Sequence, residues 1–141
     1  MAERRMISKH IYDSDKFLDL PVTSQLLYTH LIIRADDDGF IGNVKRILLI
    51  TKCSDVDLKL LISAGYVIPF ETGVIVITDW NSFNRVPKSR YRPTQFLDEK
   101  ILLKSNFSGR YMLKSWGEPS GKFNAIQPRS WAIGFRGYIT W

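Results

Sequence analysis

Residues 40–78 read FIGNVKRILLITKCSDVDLKLLISAGYVIPFETGVIVIT, and this stretch decides the fold. It opens on an apolar pair, Phe40 and Ile41, which predicts a brief strand. Asn43 then stands in the N-cap position of a segment, residues 44–52, whose apolar side chains recur at helical spacing. The stretch therefore begins with a short strand that leads into a helix.

A second helix follows almost directly. Ser54, with Asp57 three positions later, forms a capping-box pattern that predicts a helix start. This helix carries a wide apolar face and ends at Gly65, which can adopt the left-handed conformation of a helix exit. The turn of residues 52–54 between the two helices is tight, which is typical of a helix-turn-helix.

A β-hairpin completes the stretch. Residues 66–70 and 74–78 are short apolar runs, the second of them rich in Val and Ile, and they are separated by a tight turn that ends in Gly73. Pro69 has no N–H to donate, which predicts that the first of the two strands lies at the edge of its sheet.

Two further helices are predicted upstream of the stretch. A short one is capped by Ser14 or Asp13, because both side chains can accept hydrogen bonds from the first turn. A longer one has Thr23 or Ser24 as its N-cap and ends near Arg34, with apolar residues at helical spacing between.

The predicted order of elements is helix, short strand, helix, helix and hairpin. This order indicates an α+β fold of the winged helix-turn-helix type, with three core helices and a β-hairpin as the wing.

Charge and length divide the chain of 141 residues into three parts. Residues 1–80, the predicted winged-helix domain, hold nine Lys and Arg against eleven Asp and Glu, a net charge of −2. Residues 81–141 hold eleven against three, a net charge of +8. Within them, residues 81–105 are predicted to be a basic post-wing segment with a short helix over residues 95–105. Residues 106–141 are predicted to be an irregular tail, so that the domain carries a basic, aromatic-rich C-terminal extension.

Composition excludes several classes of protein. The single cysteine rules out an internal disulfide framework and a Cys-rich zinc site, and it fits a reducing cytosol. The sequence contains no secretory signal and no apolar run that could span a bilayer. We therefore expect a cytoplasmic protein without a membrane partner.

No catalytic motif is recognisable in the sequence. A nucleophile elbow, a phosphate-binding glycine loop and a dinucleotide fingerprint are all missing, so we expect a non-enzymatic protein without a cofactor. Asp36, Asp37 and Asp38 invite comparison with a magnesium site, but no Glu closes a calcium-loop pattern after them. We expect these residues to form a solvated turn between helix and strand, and we expect no metal site.

The excess of basic residues points to a polyanion as partner. The helix after the tight turn carries Asp55 and Asp57, which phosphates repel, so this helix is a poor reader of a DNA groove. Basic side chains elsewhere are better candidates, because cations neutralise phosphates and interleaved aromatic rings can stack on bases. The predicted DNA-binding residues are Lys45, Arg46, Arg85, Lys88, Arg90, Tyr91 and Arg92.

Seven stretches occur in an order that is specific as a series. They read MAERRMISK at 1–9, SDKFLDLP at 14–21, RADDDGFI at 34–41, DLKLLI at 57–62, IPFETGV at 68–74, DW at 79–80 and RYRPT at 90–94. Together they resemble the replisome organiser or replication-initiation proteins of temperate phages of Gram-positive bacteria, whose N-terminal domain is similar to that of the DnaD primosome protein.

The resemblance covers about residues 1–105. It implies a winged-helix domain that acts in the host bacterial cytoplasm, on DNA at a replication origin or fork, and helps to bring in helicase-loading proteins. Members of this family commonly continue beyond this length, so a truncated relative is one interpretation of the chain.

A hypothesis of a different class stays open. A phage-encoded protein-interaction module could bind and modulate or inhibit a bacterial protein, such as a repressor, a replication protein or a defence nuclease. The acidic residues on the helix after the tight turn favour this alternative. Segments such as residues 7–20 often mediate dimerisation in winged helices, so a homodimer is a further alternative.

Overall fold

The computed structural model describes residues 4–115, which form short helices and two small antiparallel sheets. The helices in this part of the chain are α1 (Lys9–Tyr12), α2 (Asp15–Leu18), α3 (Val22–Arg34), α4 (Val44–Thr51), α5 (Asp55–Ser63), α6 (Trp80–Phe83) and α7 (Leu97–Lys100). The strands are β1 (Phe40–Ile41), β2 (Val67–Pro69), β3 (Ile75–Ile77), β4 (Leu103–Ser105) and β5 (Tyr111–Leu113). The α+β class predicted from the sequence is confirmed.

Helix α3 packs against α4 and α5, and α5 packs against β2 of the first sheet, whose strand order is β1-β3-β2. Phe40 pairs with Val76, and Val67 pairs with Ile77, all in antiparallel register. Strand β2 is at an edge, as Pro69 predicts. The core side chains with an exposure of 1% or less include Phe17, Leu27, Tyr28, Leu31, Ile32, Phe40, Ile41, Val44, Ile47, Leu58, Leu61 and Trp80.

The helix starts are set by different kinds of contact. The capping box of α5 is confirmed, with Ser54 and Asp57 each accepting a bond from the other's backbone N–H. The prediction of Thr23 or Ser24 as the N-cap of α3 is wrong, because the helix starts at Val22 after a Pro N-cap. The Thr23 hydroxyl instead donates to Asp57 Oδ1 at 2.6 Å. The partner of this hydroxyl is therefore on another helix, where a local pattern cannot reveal it.

The chain after α6 returns to the core and adds a second hairpin. The predicted helix over residues 95–105 is wrong in its second half, because α7 ends at Lys100 and β4 then pairs with β5. The prediction of irregular structure is likewise wrong for residues 111–113. The backbone N–H of Tyr111 donates to Thr78 O at 2.8 Å, which joins the second hairpin to the first sheet. The rest of the predicted tail, residues 116–141, lies outside the described residues.

The helices between residues 4 and 115 are all too short or too polar to cross a lipid bilayer.

Candidate nucleic-acid interface

The turn between α3 and β1 holds three consecutive carboxylates, Asp36, Asp37 and Asp38, called here the acidic turn. The prediction that this turn is solvated is wrong. Asp37 and Asp38 are only 4% and 6% exposed. Each of the three side chains receives donors from residues far away in the sequence, and these donors come chiefly from residues 91–100.

Asp36 links the turn to the segment that follows the first sheet. Its Oδ1 accepts the backbone N–H groups of Asp38 and Phe40 at 2.9 and 3.0 Å, and its Oδ2 accepts the Thr94 hydroxyl at 2.5 Å. Burial raises the pKa of Asp36, and these hydrogen bonds oppose the shift only in part.

Asp37 is the most enclosed of the three. Its Oδ2 accepts the backbone N–H of Arg92 at 3.0 Å, and its Oδ1 lies 3.1 Å from Nη1 of Arg5 in a buried ion pair. The same guanidinium lies over the Trp80 ring, 5.2 Å from its centroid, and donates to Ala35 O at 2.8 Å. Because Oδ1 has no hydrogen bond within the described residues, the ion pair with Arg5 is what compensates its burial.

The side chain of Asp38 has three partners, and all of them lie in residues 91–100. The Tyr91 hydroxyl lies 2.8 Å from both carboxylate oxygens, and the Thr94 N–H donates to Oδ2 at 2.8 Å. The ammonium group of Lys100 lies 3.3 Å from Oδ2. Burial and the hydrogen bond to Asp38 both raise the pKa of Tyr91. Burial alone would lower the pKa of Lys100, but the Asp38 carboxylate more than offsets this effect and raises it.

These contacts fix the segment of residues 84–96, called here the anchored segment. The Asn84 amide forms two hydrogen bonds with the backbone of Met6, of 2.8 and 3.0 Å. At the far end, the Phe96 ring packs against Gly42, where an added Cβ would come within 2.5 Å of the ring. The segment is thus attached at both ends and, through the acidic turn, in its middle.

The anchoring uses backbone groups and uncharged side chains, and it leaves the cations of the segment outside. Arg85, Lys88, Arg90 and Arg92 are all exposed. Among residues 4–115, the ion pairs are those of Arg5, Lys100 and Arg110, so none of these four cations is neutralised by a carboxylate of the described chain. The Tyr91 hydroxyl donates to Asp38, so only the ring of this predicted contact is available to a partner. The residue as a whole is 37% exposed.

The two remaining predicted contacts, Lys45 and Arg46, are exposed in the first turn of α4. They follow Gly42 by three and four residues, which is at most about 14 Å of chain. Because Phe96 packs on Gly42, the end of the anchored segment and the start of α4 are neighbours on the surface.

Helix α5 presents few groups that would suit a DNA groove. Asp57 is in the capping box, as the sequence predicts, but the expectation that it is exposed on this helix is wrong, because the side chain is buried by its hydrogen bonds to α3. Burial would raise the pKa of Asp57, but hydrogen bonds from Ser54, Thr23 and Ser24 more than offset this effect and lower it. Val56, at 58% exposure, is on the outer surface of this helix.

Sequence reasoning missed the residues that hold the anchored segment in place, namely Arg5, the acidic turn, Thr94 and Lys100. A signal was available in the three consecutive carboxylates, which are unusual beside an apolar strand. It could not be resolved into partners, because these lie 53 to 62 residues further along the chain for Asp38.

Comparison of the chain with protein-family models, with curated proteins and with solved structures gives no match. Within residues 4–115, no group of three or more His, Cys, Asp or Glu side chains is arranged to hold a metal ion.

Proposed function

We propose that this protein is a non-enzymatic, winged-helix DNA-binding protein whose anchored segment grips the phosphate backbone. The winged-helix assignment is supported by the order α3, β1, α4, α5, β2, β3 and by the strand order β1-β3-β2. In this assignment α4 and α5 form the helix-turn-helix, and the β2–β3 hairpin is the wing.

The observation that carries the proposal is the exposure of four cations on a backbone that is fixed in place. Arg85, Lys88, Arg90 and Arg92 are exposed, while the backbone of Arg92 and Thr94 is hydrogen-bonded to the acidic turn. Cations on a fixed backbone lose less conformational freedom on binding than cations on a flexible arm, which favours affinity. Lys45 and Arg46 extend the basic surface toward α4.

The biological setting follows from the resemblance of residues 1–105 to phage replication-initiation proteins. We infer a role in DNA replication initiation, in the host bacterial cytoplasm, at origin or fork DNA, with a helicase-loading protein as a further partner. The resemblance is carried by the ordered motifs alone.

The test is the affinity for a fluorescent duplex of about 20 base pairs, measured by anisotropy at moderate salt. The double variant Arg90→Ala/Arg92→Ala removes two proposed phosphate contacts and should weaken binding strongly. The matched control is Lys104→Ala/Lys114→Ala, which removes the same charge from exposed positions on and beside the second hairpin.

A selective loss in the first double variant supports the proposal. Equal losses in both would mean that only net charge matters, and an unchanged affinity of Arg90→Ala/Arg92→Ala would contradict the proposed interface.

A second candidate function, protein binding, is favoured by exposed apolar side chains near the connection between α4 and α5. Leu49 is 79% exposed, and Val56 is 58% exposed. Val22, also 79% exposed, precedes Thr23, which contacts Cys53 and Asp57. Exposed apolar surface often marks an interaction site.

One double variant distinguishes the two candidate functions. Leu49→Asp/Val56→Asp should retain DNA binding if the anchored segment is the interface. If protein binding is the function, this variant should instead lose a bacterial protein that the wild type retains in a pull-down from host lysate.

A further inference from the structure

A groove of about 370 Å³ lies beside the anchored segment. Its lining residues are Arg34, Asp36, Phe40, Ile41, Gly42, Asn43 and Phe96. It is shallow and open to solvent, and its walls are mostly apolar. Its volume is in the range of small-ligand sites.

Two aromatic rings shape the groove. The Phe40 ring is buried, and the half-buried Phe96 ring lies 6.4 Å from it between centroids, with the planes 32° apart. Gly42 is the residue that lets Phe96 approach, because any Cβ at this position would overlap the ring. The flat ring of a ligand could stack on Phe96 in this groove, since offset stacking on an aromatic side chain is favourable.

Polar groups also lie along this mostly apolar groove. Asn43 is the N-cap residue of α4, as predicted, but its exposed side chain forms no capping hydrogen bond. The guanidinium of Arg34 is held in place through bonds of 3.0 and 3.2 Å to the His30 ring and carbonyl. Asp36 is the one acidic residue of the lining, and its two carboxylate oxygens already accept hydrogen bonds from Thr94, Asp38 and Phe40.

Basic residues near the groove are complementary in charge to the phosphates of a nucleotide. Arg92, in the anchored segment, is four residues from Phe96, and Lys45 and Arg46 are two and three residues from Asn43. A flat, edge-polar base with a phosphate on either side is the ligand that such an arrangement complements: a ring to stack on, an amide at the base edge and cations for the phosphates.

We propose that this groove takes one unpaired nucleobase, so that the preferred substrate is DNA with a single-stranded or frayed portion next to the duplex. The proposal rests on the DNA-binding function proposed above and narrows its substrate. Base stacking on an aromatic side chain is worth about 1–3 kcal/mol, which corresponds to about a 5-fold to 150-fold gain in affinity.

The experiment compares three labelled DNA molecules in the same buffer: a blunt duplex, the same duplex with a five-nucleotide overhang, and that overhang built from abasic sites. The two overhangs carry the same phosphates, so the ratio of their affinities isolates the contribution of the bases. We expect the intact overhang to bind about 5-fold to 150-fold more tightly than the abasic one.

Four variants locate the effect in the groove. Phe96→Leu keeps an apolar side chain but removes the ring, and it should bring the ratio close to one, whereas Phe96→Tyr should preserve it. Asn43→Ala alters only an exposed side chain at the rim and should lower the ratio without affecting folding. Phe107→Leu is the control, because Phe107 is a fully exposed ring on the turn of the second hairpin.

Each outcome of this experiment either supports or overturns the nucleobase site. A ratio near one with normal binding of the blunt duplex overturns the nucleobase site and leaves the proposed function standing. A wild-type ratio in both Phe96→Leu and Asn43→Ala places base binding elsewhere and also overturns the site. Absence of binding to all three DNA molecules overturns both proposals.

Discussion

Arg5 is a single side chain whose contacts hold together several residues beneath the proposed interface. Its guanidinium pairs with buried Asp37, covers the Trp80 ring and donates to Ala35 O. Trp80 in turn donates its indole N–H to Asp37 O at 2.9 Å. These contacts place a charged residue inside the protein, where its loss leaves the partner carboxylate without a cation.

Replacing Arg5 should therefore destabilise the fold strongly. We expect Arg5→Ala to lower the free energy of unfolding by about 3–5 kcal/mol, the usual effect of breaking one side of a buried ion pair. Urea denaturation measures this change. The neighbouring Arg4 is exposed, so Arg4→Ala should stay within about 0.5 kcal/mol of the wild type. Equal stability of the two variants would contradict the buried position of Arg5.

Helix α5 is fixed at its start by Asp57, whose carboxylate joins the capping box and also accepts the hydroxyl of Thr23 on α3. One ionised side chain therefore both starts a helix and ties it to its neighbour. Its folded pKa lies below the ordinary value of 3.8, so the ionised form favours the folded state.

This shift predicts a pH-dependent stability with a definite sign. The contribution of Asp57 is fully present above about pH 4 and is lost as the pH falls through the lowered folded pKa. Asp36, whose pKa is raised by burial, acts in the opposite direction, because acidification relieves its buried charge. The difference in unfolding free energy between wild type and Asp57→Asn isolates Asp57, and it should shrink on acidification below pH 4.

Asp55→Asn is the control for this measurement, since Asp55 lies in the same helical turn but outside the capping box. On acidification the difference for Asp57→Asn should shrink more than that for Asp55→Asn, because only Asp57 accepts the capping-box hydrogen bonds. A difference for Asp57→Asn that stays constant from pH 7 to pH 2 would show that the charge of Asp57 plays no part in holding the helix.

The anchored segment depends on the acidic turn in a way that hydrogen exchange can detect. Tyr91→Phe removes one donor to Asp38 and keeps the ring, so the amides of Arg92 and Thr94 should exchange faster, by about tenfold for a loss of ~1.4 kcal/mol. Lys88→Ala should leave both rates unchanged, since Lys88 is exposed. Unchanged exchange in Tyr91→Phe would mean that the hydroxyl contributes nothing to anchoring.

Elements whose determinants are local could be predicted from the sequence. The capping box of α5, the cap of α2 by Ser14, and the β2–β3 hairpin with its edge proline follow from residues a few positions apart. The start of α3 could not be predicted, because Thr23 bonds to a residue 34 positions away. The β4–β5 hairpin could not be predicted, because the Gly in its turn is one of several Gly and Pro residues that interrupt regular structure in this region.

The contacts of the candidate site are harder still to predict, because most of them join residues far apart in the sequence. Sequence pattern selected the cations of the anchored segment, since basic and aromatic residues are recognisable as such. It could not select the acidic turn as their support, because hydrogen bonds between residues 53 to 62 positions apart leave no periodicity in the sequence. Tyr91 stays a predicted DNA contact by its residue type, and the bond from its hydroxyl to Asp38 is a second contact that the sequence does not reveal.

Considered as a whole, the molecule separates its charges by position in the chain. Residues 1–80 carry a net charge of −2 and residues 81–141 a net charge of +8, yet residues 84–96 are tied back onto the domain by the acidic turn. Asp37 and Asp38, which hold the segment, are buried, Asp36 is half-buried, and the cations of the segment are exposed. This arrangement gives a basic surface on a fixed support.

The salt dependence of duplex binding is the most direct test of the proposed phosphate binding by this surface. If four cations of the anchored segment meet phosphates, log K should fall against log salt with a slope of about −3.6, and Arg90→Ala/Arg92→Ala should flatten the slope by about 1.8. A slope near zero, or a slope that the double variant leaves unchanged, would show that the exposed cations do not bind the DNA backbone.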